Sequence, residues 1–122
     1  MSRRLIAAAT AGVAAIGAAA ATPALGGSTP SRNVEVGDNF FAPTRLTVDR
    51  GTRVAFRWAS DNENRHDVAQ TSGPRGARAF KSPQRTTDYT YRRTFRTAGT
   101  YRIICTLHPT QMRLTLRVRS GS

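Results

Sequence analysis

From Asn33 onward, apolar residues recur at every second position, the period of a strand with one buried face. Val34 and Val36 alternate with polar neighbours, as do Leu46 and Val48. Val54, Phe56 and Trp58 face away from Arg53, Ala55 and Arg57, Tyr89 and Tyr91 lead towards Phe95, and Tyr101, Ile103 and Cys105 share one face. The last run is the cleanest: Met112, Leu114, Leu116 and Val118 point one way, Arg113, Thr115, Arg117 and Arg119 the other. Turn-forming clusters separate the runs, among them Gly37-Asp38-Asn39, Asp49-Arg50-Gly51, Asp61-Asn62-Glu63-Asn64 and Ala98-Gly99. Short strands punctuated in this way predict an all-β sandwich or barrel. Gly73 to Thr87 has no clear period and reads as a long loop around Phe80. The body of the chain carries neither a helical stripe nor an internal repeat.

The first 24 residues follow a different plan. Arg3 and Arg4 precede an uncharged apolar stretch from Leu5 to Ala21, and Thr22 and Ala24 suit the small positions before a cleavage point. This is the pattern of a secretory signal peptide. A membrane span needs about 20 strongly apolar residues, and this stretch is shorter and mostly Ala and Gly. Ser2-Arg3-Arg4 leaves the twin-arginine route open beside the general one. Leu25 to Arg32 reads as a Gly/Ser/Pro-rich linker, and residues 33–119 as a single domain. The expected product is exported, periplasmic or extracellular. Of 122 residues, 98 would remain, which is room for one compact domain and not for a multidomain enzyme or a transporter.

Charge adds a question about partners. Lys and Arg number 19 against 7 Asp and Glu, giving +12; without Arg3 and Arg4 the balance is 17 against 7, or +10. Such a balance fits a polyanion partner. The basic residues are nearly all arginine, Lys81 being the one lysine, and no run exceeds two. Arginines scattered in this way fit solvated positions in an arginine-rich genome better, and nucleic acid is not expected as a partner.

The candidate chemistry is concentrated in one place. Beyond the leader the chain has one Cys, two His and one Met, and three of these four lie in Cys105-Thr106-Leu107-His108-Pro109-Thr110-Gln111-Met112. The fourth, His66, stands at the edge of a polar loop. Taken singly, each has a plain explanation: Cys105 and Met112 as core residues, His66 as an exposed loop histidine. Taken together they form a thiolate, two imidazoles and a thioether, the donor set of a soft or borderline metal. Zinc would want four Cys, His or carboxylate ligands, and a Cys–His nucleophile would need a substrate cleft. An exported protein with one cysteine cannot form an internal disulfide, which leaves an intermolecular link or a reactive or metal-bound sulfur.

With these residues in view, the sequence resembles the small type I blue-copper proteins of the cupredoxin family, near the plastocyanin, pseudoazurin and amicyanin group. The Cys-x2-His-x3-Met hook is the specific part. Phe41-Ala42-Pro43, Gly51 before Val54-Ala55-Phe56, His66 with Val68, and Phe95 leading to Gly99-Thr100-Tyr101-Arg102-Ile103-Ile104-Cys105 accompany it. The resemblance implies a Greek-key β-sandwich, one copper ion cycling between Cu(I) and Cu(II), and one-electron transfer rather than enzymatic turnover. It makes His66, Cys105 and His108 the strong ligands and Met112 the weak axial one. It also makes Leu107 and Pro109, beside His108, a docking patch for redox partner proteins. A monomer is expected, facing a partner with an acidic docking face.

The sequence departs from the family pattern at two positions. Asp67 follows the first histidine where members commonly carry Asn, and an ionised Asp can accept but not donate. This leaves the hydrogen bonds around the ligands, and the reduction potential, open. Leu114 stands where a glycine often follows the Met. Another reading of the same ligands is a copper module that delivers, buffers or senses copper without fast redox cycling.

Overall fold

In the computed structural model, which describes residues 29–121, the strands anticipated from the alternation, together with the short strands Phe40–Ala42 and Ala69–Ser72 that it does not mark, form two four-stranded sheets. In chain order they are β1 (Ser31–Gly37), β2 (Phe40–Ala42), β3 (Arg45–Asp49), β4 (Thr52–Trp58), β5 (Ala69–Ser72), β6 (Thr90–Phe95), β7 (Gly99–Ile104) and β8 (Arg113–Arg119). One sheet has the order β2-β1-β4-β6, the other β3-β8-β7-β5. β1 runs parallel to β4 and β3 parallel to β8; the remaining neighbours are antiparallel. The chain therefore crosses between sheets repeatedly. Among the described residues there is no helix, and so none long and apolar enough to cross a membrane.

Alternation puts the apolar side chains between the sheets. Val34, Val36, Val54, Phe56 and Trp58 from one sheet meet Leu46, Val48, Tyr101, Ile103, Leu114, Leu116 and Val118 from the other, all of them buried. Ala55, on the outer face by alternation, is buried as well. It lies in a central strand between Asn33 and Arg92 in register, and long neighbouring side chains cover a small one. The first strand takes in Ser31 and Arg32, inside the stretch that reads as a linker. Both pair with β4, opposite Arg53 and Val54. The leader residues 1–24 and linker residues 25–28 lie outside the described residues.

The aperiodic stretch after β5 doubles back along the strand before it. Gln70 N–H donates to Phe80 C=O (2.9 Å), Ser82 N–H to Val68 C=O (2.9 Å), and His66 and Arg85 exchange both backbone bonds. Phe80 anchors the return, packing against Phe56, Tyr91 and Phe95 with ring centroids 5.8–6.4 Å apart. Isolated bridges impose no alternation on the sequence, which is why the stretch reads as a loop.

The turns fall at two ends. Arg50 and Gly51 (φ +94°) reverse the chain at one end, where the φ value suits glycine. At the other end lie the Asp38-Asn39 turn, the segment 59–68 and the loop 105–112, which are joined to one another by hydrogen bonds. The candidate ligands belong to this second end.

Candidate metal centre

Cys105 directly follows β7 and is fully buried, carrying on the inward face of Tyr101 and Ile103. The chain then closes a tight loop on itself. His108 N–H donates to Cys105 C=O (3.1 Å), Met112 N–H to His108 C=O (2.9 Å), and Cys105 N–H to Met112 C=O (3.1 Å). Each bond fixes one of the three residues against another, and Pro109 restricts the backbone of His108. As a result Cys105 Sγ lies 3.6 Å from His108 Nδ1. Met112 is fully buried at the foot of β8, and His108 is half-buried. Leu107 (44% exposed) and Pro109 flank His108 on the surface.

His66 arrives from the segment 59–68, which leads from β4 of one sheet into β5 of the other, and the return stretch pairs with it. Its N–H donates to Arg85 C=O (2.8 Å) and its C=O accepts from Arg85 N–H (3.0 Å). The Trp58 indole N–H is shared between His66 C=O (3.2 Å) and Arg85 C=O (3.0 Å). The imidazole is fully buried, contrary to its reading as an exposed loop histidine. Nε2 meets Asp38 Oδ1 at 2.9 Å, while Nδ1 is buried with no hydrogen-bond partner. The Asp38 carboxylate also accepts from Glu63 N–H (2.8 Å) and Asn64 N–H (3.0 Å). The Glu63 amide, and after it the His66 ring, holds the Asp38 carboxyl below the ordinary carboxylate range.

One ligand atom from each of His66, Cys105 and His108 lies within 4.8 Å of the others. The two imidazole centroids are 5.1 Å apart. A buried nitrogen with no partner costs free energy unless something accepts its lone pair. Here the partnerless nitrogen belongs to a cluster made of two imidazoles and a thiol, with no carboxylate in it. That set suits copper and does not suit a hard cation such as calcium or magnesium.

Asp67 answers the hydrogen-bonding part of the question its identity raised. It is fully buried, and both of its oxygens accept from Thr106: the backbone N–H to Oδ1 (2.7 Å) and the hydroxyl to Oδ2 (2.6 Å). Thr106 supplies both donors, so a residue that only accepts completes the tie. The residues next to His66 and Cys105 are thereby clamped together.

Sequence reasoning did not find Asp38, Thr106, Trp58 or Arg85. Asp38 is visible only as part of a Gly-Asp-Asn turn, and the other three are ordinary strand or loop residues until the sheets assemble.

A family model, copper-binding proteins of the plastocyanin/azurin family, matches residues 29–119. No curated protein matches the sequence. Among solved structures, amicyanin from Paracoccus versutus (Thiobacillus versutus) is 29% identical, with a TM-score of 0.63, over 73% of this chain and 81% of that one. A reduced amicyanin variant is 30% identical, with a TM-score of 0.62, over 71% and 80%. A copper-containing nitrite reductase from Thermus scotoductus SA-01 is 29% identical, with a TM-score of 0.65, over 85% of this chain and 25% of that one.

Proposed function

Because the chain belongs to the plastocyanin/azurin family of copper-binding proteins, we propose that it is a carrier of single electrons between redox partners. In this reading His66, Cys105 and His108 are the strong ligands of one copper ion, and Met112 is the weak axial one. The observation that carries it is the partnerless buried Nδ1 of His66, in a cluster whose three ligand atoms lie within 4.8 Å of one another.

Bound copper supplies a one-electron couple between Cu(II) and Cu(I). The chain's residues supply rigidity. The Asp67–Thr106 clamp, the Asp38–His66 bond and the closed 105–112 loop hold the donors still, so that little rearranges when the charge changes. His108 is the one member of the cluster that is not fully buried, and Leu107 and Pro109 beside it offer an apolar face to a partner. The pattern of residues 1–24 supports export.

Adding Cu(II) to the purified protein tests the ligands, with an intense blue thiolate-to-copper band expected. Voltammetry tests the role, a reversible one-electron wave with fast exchange being the expected result. Slow exchange with ready release of copper to a chelator would instead identify a delivery or buffering module.

A further inference from the structure

We propose that Asp38 is a positioning residue of this site: its carboxylate fixes the orientation and hydrogen placement of the His66 ring, and its charge lowers the reduction potential. The inference rests on His66 being a copper ligand, as proposed above. A carboxylate only accepts, so the 2.9 Å contact places the hydrogen on Nε2 and leaves the lone pair on Nδ1, the atom with no other partner. Each nitrogen of the ring then has a single task. In the alternative tautomer, Nδ1 would present a hydrogen to the cluster and Nε2 would face the carboxylate with a lone pair.

The carboxylate is itself held from three sides. Glu63 N–H reaches Oδ2, while Asn64 N–H and the His66 ring reach Oδ1. Its turn is fixed by sterics as well. Asn39 sits at φ +67°, which Asn tolerates, and the exposed Phe40 ring lies over Gly37, where a Cβ would displace it. Asn62 Nδ2 donates to Val36 C=O (2.9 Å), tying the 61–65 loop to the same strand. Asp38 and His66 are thus two ends of one braced unit.

The charge acts through the ring. A negative group hydrogen-bonded to the far side of a ligating imidazole raises its basicity and favours the more highly charged metal state. Removing it favours Cu(I) and raises the potential. The plainer role for Asp38 is to cap the 61–65 loop through the two amides, which would affect stability alone.

Wild type, Asp38→Asn and Asp38→Ala separate the two roles. In the copper-free protein, long-range ¹H–¹⁵N spectra should show His66 as a single Nε2–H tautomer in wild type and as a mixture in Asp38→Ala. With copper, Asp38→Asn should keep the blue band and raise the potential, since it keeps an acceptor but loses the charge. Asp38→Ala should in addition weaken Cu(II) binding by about 10–100-fold. The near-isosteric Asn variant carries the test if Asp38→Ala does not fold. Variants that match wild type in tautomer, potential and affinity, and differ only in thermal stability, overturn the inference and leave Asp38 a loop cap. A wild type with no blue band would remove the ligand assignment, and this inference with it.

Discussion

Asp67 and Thr106, 39 positions apart, are joined by two short hydrogen bonds, and each sits immediately after a member of the metal cluster. The bond therefore sets the distance between His66 and Cys105 independently of any metal. Asp67→Ala should destabilise the copper-free protein by about 1–3 kcal/mol, because it removes two hydrogen bonds to a charged group. Asp67→Asn should cost under about 1 kcal/mol, since its oxygen accepts from the amide and the threonine hydroxyl can turn to accept from its NH₂. Urea denaturation of the copper-free variants measures both.

Cys105→Ser should abolish the blue band while the fold survives. Serine is nearly isosteric, and the only cysteine makes no disulfide. Absorption after adding Cu(II), with circular dichroism alongside, provides the check. A variant that keeps the band would mean that the sulfur is not a ligand.

Met112→Leu should leave the protein folded and blue. The swap conserves volume at a fully buried position, so it should cost less than about 1.5 kcal/mol. A more apolar axial neighbour disfavours Cu(II), so the potential should rise. An unchanged potential would assign Met112 to the core alone.

Tyr101 predicts the alkaline limb of stability. Its hydroxyl donates to Thr97 C=O (2.6 Å), and burial pushes its phenol above the ordinary value of 10.0. The folded state then keeps a proton that the unfolded state loses. This contribution is complete below the unfolded value and is lost as pH rises through the folded one. Tyr101→Phe should cost about 1 kcal/mol at neutral pH and flatten the decline above about pH 10. Denaturation midpoints at pH 7 and pH 11 would test it, and an equally steep decline in the variant would exclude Tyr101 as the source.

The arginines make a salt-dependent prediction. On the outer face of β3, β8 and β7, Thr115 lies between Arg45 and Arg102 in register, with Arg113 and Arg117 two residues away along the strand. Among the described residues, the one arginine–carboxylate ion pair is Arg119 with Asp49. The Debye length falls from about 10 Å at 0.1 M salt to about 3 Å at 1 M. Electron exchange with an anionic reagent should slow over that range and exchange with a cationic one should quicken, as stopped-flow rates would record. Equal responses would place the electron port outside the field of these arginines.

The two-residue period of this sequence determines which side chains face inward, because a strand turns every second residue to the same side. It therefore specifies most of the strands and most of the core, but not the short strands Phe40–Ala42 and Ala69–Ser72. The compact Cys105–Met112 spacing likewise points to a loop with three candidate donors, since a single turn can gather those residues without help from the rest of the fold. Alternation does not say which strand lies beside which, and every longer-range relation depended on that. His66 joined Cys105, Asp38 reached His66 from 28 positions away, Asp67 met Thr106, and Phe80 pulled an aperiodic stretch back along β5. These contacts arise when two sheets pack face to face and bring distant turns to one end. Register and crossovers are fixed by burying the whole core at once, which no local pattern records.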